Sequence, residues 1–395
     1  MQFLLEFNLK TIHFLIKTFL FTFILFIPIK TSIYQISFIL LLFTFLIYII
    51  KTYKIVEVIY LFRNLTILKP FCFVIASMLV SNLLSTYVTF DSWSVIFQYI
   101  FRYLLLLLLL LFLYKEKIIT KYFLMIAIFC ALGLQSMDGF YQVLFGVDFI
   151  KKNIGSIAEG LSGATFNRNT FGLFMAIGAS LCSFYILNKK TYLISNKLFI
   201  GILILLGSFI FNLLFSYSRS AWLFFLTFSI VQIILEYKKI TRLNIFILLA
   251  FVLFTIGFFL YFDTLFVRFM QLIQMNTSQR NVIWLEVCHL IQHHFLFGYG
   301  LMTYSKLTTL NFSGVHNSIL EIFLFLGLTG FLTFSYLLYK VFIQIIVTKN
   351  SVYYSLFFSF LFITQFDHSI IKGITTLSTL SIFAFFIFSE HQISK

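Results

Sequence analysis

Apolar residues run through this chain in uninterrupted stretches of about 18 to 22, long enough at ~1.5 Å per residue to cross a hydrocarbon layer ~30 Å thick. A membrane barrel would instead show ~10-residue segments of alternating polarity, and these stretches do not alternate. The reading is an all-α integral membrane protein. Only 10% of the 395 residues are charged and 61% are hydrophobic, whereas a soluble domain carries about 25% charge. The 58 phenylalanines read as lipid-facing filler. With two prolines and 17 glycines in the whole chain, each of these residues is a stronger signal than usual.

Twelve transmembrane helices fit, at roughly 11–29, 33–50, 70–89, 95–114, 121–140, 169–187, 198–216, 220–236, 243–262, 317–338, 351–367 and 374–389. The whole chain, 1–395, is then a single polytopic membrane domain. With both termini inside, the inner loops collect about twice as many Lys and Arg as the outer ones, as the positive-inside rule requires. An odd number of spans would reverse the second half and spoil this bias. The first apolar run follows Lys10 and Lys17 but no small-residue cleavage site succeeds it, so it reads as an uncleaved span.

Two outer segments exceed turn length, 141–168 and 263–315, the longer one lying before the tenth span. Long loops are uncommon unless functional, and 263–315 has room for one or two helices resting on the membrane face. Ser278 is placed to cap one carrying Val282, Ile283, Leu285, Val287, Leu290 and Ile291. Those apolar positions cover too wide an arc for a clean stripe. The net charge of +15 is spread through short loops, which argues against nucleic acid as a partner. Cys72, Cys130, Cys182 and Cys288 form neither a disulfide framework nor a metal-binding pair.

Ionisable groups are costly in lipid, so those at the mouth of a span are functional candidates. The densest group is Val315-His316-Asn317-Ser318-Ile319-Leu320-Glu321, followed by Gly327 and Gly330. His316 has the side chain best suited to accept a proton at neutral pH. Asn317 can orient a neighbour or bind a sugar, and Glu321 lies about one turn further into the span. Upstream, Arg219 stands in Ser216-Tyr217-Ser218-Arg219-Ser220, a polar knot too short for an ordinary solvated loop. Arg280 opens the expected loop helix, Arg168 stands at the entrance to the sixth span, and Arg102 lies within the outer half of the fourth. Together the guanidinium groups describe an anion site on the outer face, where planar forks suit phosphate oxygens. Arg268 and Lys306 read as cations snorkelling to headgroups.

Other patterns carry less. His289, His293 and His294 imitate a metal-binding helix, but Glu286 is the sole carboxylate nearby in sequence. Gly298-Tyr299-Gly300 follows Phe295-Leu296-Phe297, not the Thr-Val pair of a potassium filter. The outer carboxylates Asp138, Asp148, Glu159, Asp263 and Glu286 are scattered, without the clustered oxygens that Mg²⁺ or Mn²⁺ needs. No metal site and no cofactor is therefore expected.

The motifs Ser-x-Ser-Arg-Ser-Ala-Trp at 216–222, Gln-Arg-x-x-x-Trp at 279–284, His-x-x-x-Gly-x-Gly at 294–300, and His-Asn-x-x-Leu-Glu with Gly-x-x-Gly at 316–330 occur in an order that resembles the O-antigen ligase/polymerase superfamily. These are bacterial inner-membrane glycosyltransferases of the GT-C type, and the likeness is densest over about 165–335. Asn167-Arg168-Asn169 is also similar to the family's Asn-x-Asn motif, although the usual proline is missing there and again after His294.

The resemblance implies a donor, a glycan on undecaprenyl pyrophosphate at the periplasmic face, with membrane lipid as the surrounding partner. It implies that Arg219 and Arg280 bind the pyrophosphate and that His316 deprotonates the acceptor hydroxyl. Asn317, Glu321, Ser218, Arg168 and Arg102 would support them. The loops 263–315 and 141–168 become periplasmic, and 263–315 becomes the catalytic loop. The acceptor is a lipid A–core sugar in a ligase, a second lipid-linked glycan in a polymerase, or protein Ser/Thr in an O-oligosaccharyltransferase. The last group often carries a sizeable C-terminal extension, whereas about six residues follow the final span here. One dominant loop just before His316 favours the ligase. A polyprenyl-linked glycan flippase is the alternative from another class, but it would show internal pseudo-symmetry, and here the polar groups gather on one face.

Overall fold

The computed structural model describes residues 8–29, 32–152, 154–155, 159–165, 167–241, 245, 249, 253, 255–258, 260–274, 280–308, 314–366, 369, 371 and 374–390, with side chains of the last stretch from 378 onward. The chain is an all-α integral membrane protein; among the described residues the sole extended pairing is an isolated bridge between Val147 and Ile154. It divides into two compact units, one of residues 1–127, 278–349 and 364–395, the other of 128–277 and 350–363.

The first unit contains α1 (Leu9–Phe26), α2 (Ser32–Thr52), α3 (Ile55–Arg63), α4 (Leu68–Leu84) and α5 (Phe90–Lys115). The long α6 (Lys121–Phe145) begins in this unit and runs into the second, which continues with α7 (Arg168–Leu187), α8 (Asn196–Phe215), α9 (Arg219–Glu236) and α10 (Asp263–Ile273). Then come α11 (Arg280–His293), the short α12 (Tyr304–Leu307) and α13 (Ser318–Thr348) of the first unit, α14 (Ser351–Ile363) of the second, and α15 (Ile374–Ser389) of the first.

Eight described helices (α1, α2, α5, α6, α7, α8, α9 and α13) are long and apolar enough to span a bilayer. The pair α3–α4 bends by 80° and could make one broken span, while α14 and the described part of α15 are apolar but shorter. Every expected interval except 243–262 contains one of these helices; half of that interval falls outside the described residues, as does Ser278.

In the first unit α5 is buried on all sides from Leu106 to Leu113, as a helix that is apolar all round must be. Phe112 sets its edge against Phe45 of α2 at 5.6 Å, and Ser381 of α15 donates to the Tyr103 carbonyl at 3.0 Å. At the inner end expected from the charge pattern, Glu116 pairs with Lys54 and accepts from the Tyr48 hydroxyl. In the second unit α7 meets α8 where Gly178 lets the Phe209 ring approach; a Cβ there would come within 2.9 Å of it. Glu236, Gln232, Ser351 and Ser355 form a continuous hydrogen-bonded chain between α9 and α14, closed by the Lys239–Glu236 ion pair at 2.6 Å.

Candidate functional site

The first unit holds Arg102, Arg280, His316, Asn317 and Glu321; the second holds Arg168, Ser218 and Arg219.

At the start of α13, Asn317 is the N-cap, its Oδ1 accepting from Leu320 N at 3.0 Å. This satisfies one of the amides that every helix N-terminus leaves open. Its Nδ2 donates to the Gln365 carbonyl at 3.3 Å, and Ser318 N donates to the Thr364 carbonyl at 2.9 Å. His316, just before the cap, takes φ +55°. Left-handed backbone is uncommon outside glycine but enriched for histidine, and it persists where surrounding contacts enforce it, often at functional sites. Glu321 is buried in the first turn of α13, where the helix dipole favours a negative charge, and it accepts a hydrogen bond from Ser369.

The helix carrying Arg280 is fastened to the same place. Trp284 Nε1 donates to the Val315 carbonyl at 3.1 Å, next to His316. Arg280 lies four residues before Trp284, hence on the same face of α11. Ile283 and Val287 are its buried positions, while Val282 and Leu285 are exposed. Glu286, on the next turn, accepts from Tyr304 at 3.3 Å and Thr308 at 2.7 Å. Burial pushes the Tyr304 phenol above its ordinary range, outweighing its hydrogen bond with Thr308.

The glycine pairs noticed in the sequence belong together. At Gly327 (φ +64°, ψ −159°) helix α13 breaks, and the segment after α11 fills the gap. Tyr299 N and Gly300 N donate to the carbonyls of Leu324 and Phe325, both at 2.9 Å, while Leu328 N and Thr329 N donate to those of Phe295 and Leu296 at 2.8 and 3.2 Å. A Cβ on Gly327 would lie 2.4 Å from the Leu296 carbonyl, and one on Gly298 2.4 Å from the Phe325 carbonyl carbon. Ser81 and Asn82 of α4 and Ser85 at its C-cap complete the crossing through Phe325 O, Leu301 N and Tyr299 O. Irregular backbone inside a membrane protein needs this kind of full internal pairing.

In the second unit the Arg219 turn is built with similar care. Ser216 Oγ donates to the Leu213 carbonyl at 2.7 Å, and Ser218 Oγ caps α9 by accepting from Ala221 N at 3.3 Å. Tyr217 between them takes φ +53° and bonds Thr264 through its hydroxyl at 2.7 Å. Burial raises the Tyr217 phenol, against the lowering effects of that bond and of the Arg268 charge. Asn167 caps α7, accepting from Asn169 N at 2.8 Å. One turn on, Gly172 leaves space for the knot, since a Cβ there would come 2.7 Å from Ser216 Oγ. Leu161 N reaches the Phe215 carbonyl at 2.8 Å. Arg168, Ser218 and Arg219 are thereby brought onto one small scaffold.

Arg219 Nη1 donates to the Gln271 carbonyl at 3.2 Å, and Arg268 Nη1 donates to the Gln271 side-chain oxygen, also at 3.2 Å. Arg268 was expected to be a snorkelling cation; its link through Gln271 joins it to the Arg219 turn. The signal available in sequence was spacing, with Thr264, Arg268 and Gln271 at i, i+4 and i+7 on one face of α10. Among the described residues no group of three His, Cys, Asp or Glu side chains is placed to hold a metal ion. His289 and His293 stack edge to face at 4.9 Å, and His294 lies against Tyr299 at 4.1 Å.

None of the curated proteins compared with the chain matches it. Residues 202–335 match the O-antigen ligase family. That stretch contains Arg219, Arg280, His316, Asn317, Glu321 and the Gly298–Gly327 crossing, and it excludes Arg102 and Arg168. Over this third of its length the chain is similar to the O-antigen ligase family.

Proposed function

We propose that this multi-pass membrane protein transfers a glycan from undecaprenyl pyrophosphate to an acceptor sugar hydroxyl at the periplasmic face, with lipid A–core as the acceptor. The observation that carries this reading is the family match at 202–335, which encloses both arginines and the histidine. His316 is the base: its imidazole takes the proton from the acceptor hydroxyl as that oxygen attacks the anomeric carbon. The bond from the anomeric carbon to the pyrophosphate oxygen breaks on the opposite side, so configuration inverts without a covalent intermediate. Arg219 and Arg280 neutralise the departing diphosphate, which then leaves as a weak base and needs no general acid. Asn317, Glu321 and Ser218 hold these groups through their helix starts, and Arg168 adds positive potential beside Ser218.

Deletion of the gene and separation of surface glycolipids on a gel test the proposal. Bare core with accumulated lipid-linked chains is the expected result. Single repeats on the core would make the enzyme a polymerase, and an unchanged glycolipid pattern would refute transfer to either acceptor.

A further inference from the structure

Arg102 is not accounted for by the Arg219–Arg280–His316 chemistry. It lies in the π-helical segment Tyr99–Leu105 of α5, a local widening that recurs at functional positions. Its guanidinium carbon sits 4.0 Å from the centroid of the Phe38 ring and 4.8 Å from that of Tyr34, both rings being buried. Aromatic faces offset part of the charge but accept none of the five N–H donors in the conventional sense. Nη1 is buried, and among the described residues it has no hydrogen-bond partner and no carboxylate pairs with this arginine.

The position is also specific. Tyr34 is the third residue of α2, and its hydroxyl meets Ser378, in the second turn of α15, at 2.7 Å. The segment leading into α15 is the one whose Gln365 and Ser369 bind the start of α13. Arg102 therefore lies a turn or two below the same end of the unit as His316. Arg102 is itself half-buried, between the exposed Phe97, Ile100 and Phe101 and the buried Tyr99 and Tyr103, so it stands at the edge of the face that α5 turns to lipid. A planar cation at that depth, half-buried against aromatics and with one buried donor left without a partner among the described residues, calls for an anionic oxygen carried on an acyl-chain molecule.

We propose that Arg102, with Tyr34 and Phe38, binds the phosphate of an anionic lipid that enters from the bilayer. The proposal does not depend on the glycan-transfer reading.

The test uses the full chain in detergent and native mass spectrometry, titrating phosphatidylglycerol against phosphatidylcholine of the same chains. The wild type is expected to retain one phosphatidylglycerol with at least tenfold preference, and Arg102→Gln to lose that preference. Phe38→Leu, which keeps the charge, is expected to weaken retention severalfold. His316→Ala is expected to bind as the wild type does, so a failure of the catalytic assignment leaves this result untouched. Displacement by millimolar inorganic phosphate would overturn the lipid as the source and assign the site to free phosphate. Wild-type retention in a folded Arg102→Gln protein would overturn the proposal. Should that variant not accumulate, unchanged retention in both Arg102→Lys and Phe38→Leu would do the same.

Discussion

Substituting Gly327 by Ala should unlock the crossing between α13 and the segment after α11. The glycine occupies φ +64°, ψ −159°, a region essentially closed to side chains, where occupancy costs of order 1–3 kcal/mol. The new Cβ would also stand 2.4 Å from the Leu296 carbonyl, so the two backbones must separate. Four hydrogen bonds join them, each contributing about 1 kcal/mol net. Losing even two of these on top of the strain costs ~3–5 kcal/mol, against a total stability of ~5–15 kcal/mol.

Unfolding in mild detergent, followed by intrinsic fluorescence, measures this directly, with glycan transfer assayed alongside. Gly298→Ala breaks the same crossing, so the double variant should cost about as much as either single one. Gly207→Ala in α8 is the control; its Cβ would meet nothing within 4 Å, and helix propensity favours it by up to ~1 kcal/mol. A Gly327→Ala protein as stable as Gly207→Ala, or fully additive losses in the double variant, would refute the reasoning.

His316→Gly should cut transfer ~10²–10⁴-fold while the melting temperature holds or rises, because glycine accepts φ +55° freely; His316→Ala should lose the same activity without that relief, and normal transfer in either would remove the imidazole from the mechanism. Arg219→Lys and Arg280→Lys keep the charge but lose the fork, and kcat/KM should fall ~10–100-fold, equivalent to one charge-assisted hydrogen bond. Tyr217 has a raised phenol, so its share of stability is complete below pH ~10 and lost as pH climbs through the folded value. Tyr217→Phe should therefore flatten the alkaline limb of a stability–pH curve, at a cost of about 1 kcal/mol at neutral pH for the lost Thr264 bond. Transfer should persist in EDTA, and activity lost there but restored by Mg²⁺ would overturn charge neutralisation by arginine alone.

The helices were legible because lipid permits little else: a run of apolar residues long enough to cross must be helical, and its ends are marked by Lys and Arg. The caps at Ser218 and Asn317 were open to reading, since both are residue types that compete for free amides, but in sequence Asn317 reads as a sugar or neighbour contact and Ser218 as part of a polar knot. Long-range pairing was hidden. Gly298 and Gly327 each advertise unusual backbone, but nothing local says that one exists for the other. The segment Tyr99–Leu105, three aromatics around Arg102 and two leucines, has no residue that marks a widened turn. Gln232 and Glu236 of α9 carry no local motif, and their partners Ser351 and Ser355 lie more than a hundred residues away in α14. Arg268 was set aside because snorkelling explains most solitary cations near a span, and Gln271 gave no warning of joining it to Arg219.

The amide of Ser318 and the carboxamide of Asn317 both find their acceptors at Thr364 and Gln365, downstream of the 202–335 stretch. A protein shortened after α13 would keep every side chain assigned to the transfer step, yet the histidine's helix would lose its moorings. Two backbone carbonyls just past α14 thus hold the histidine's helix start from behind.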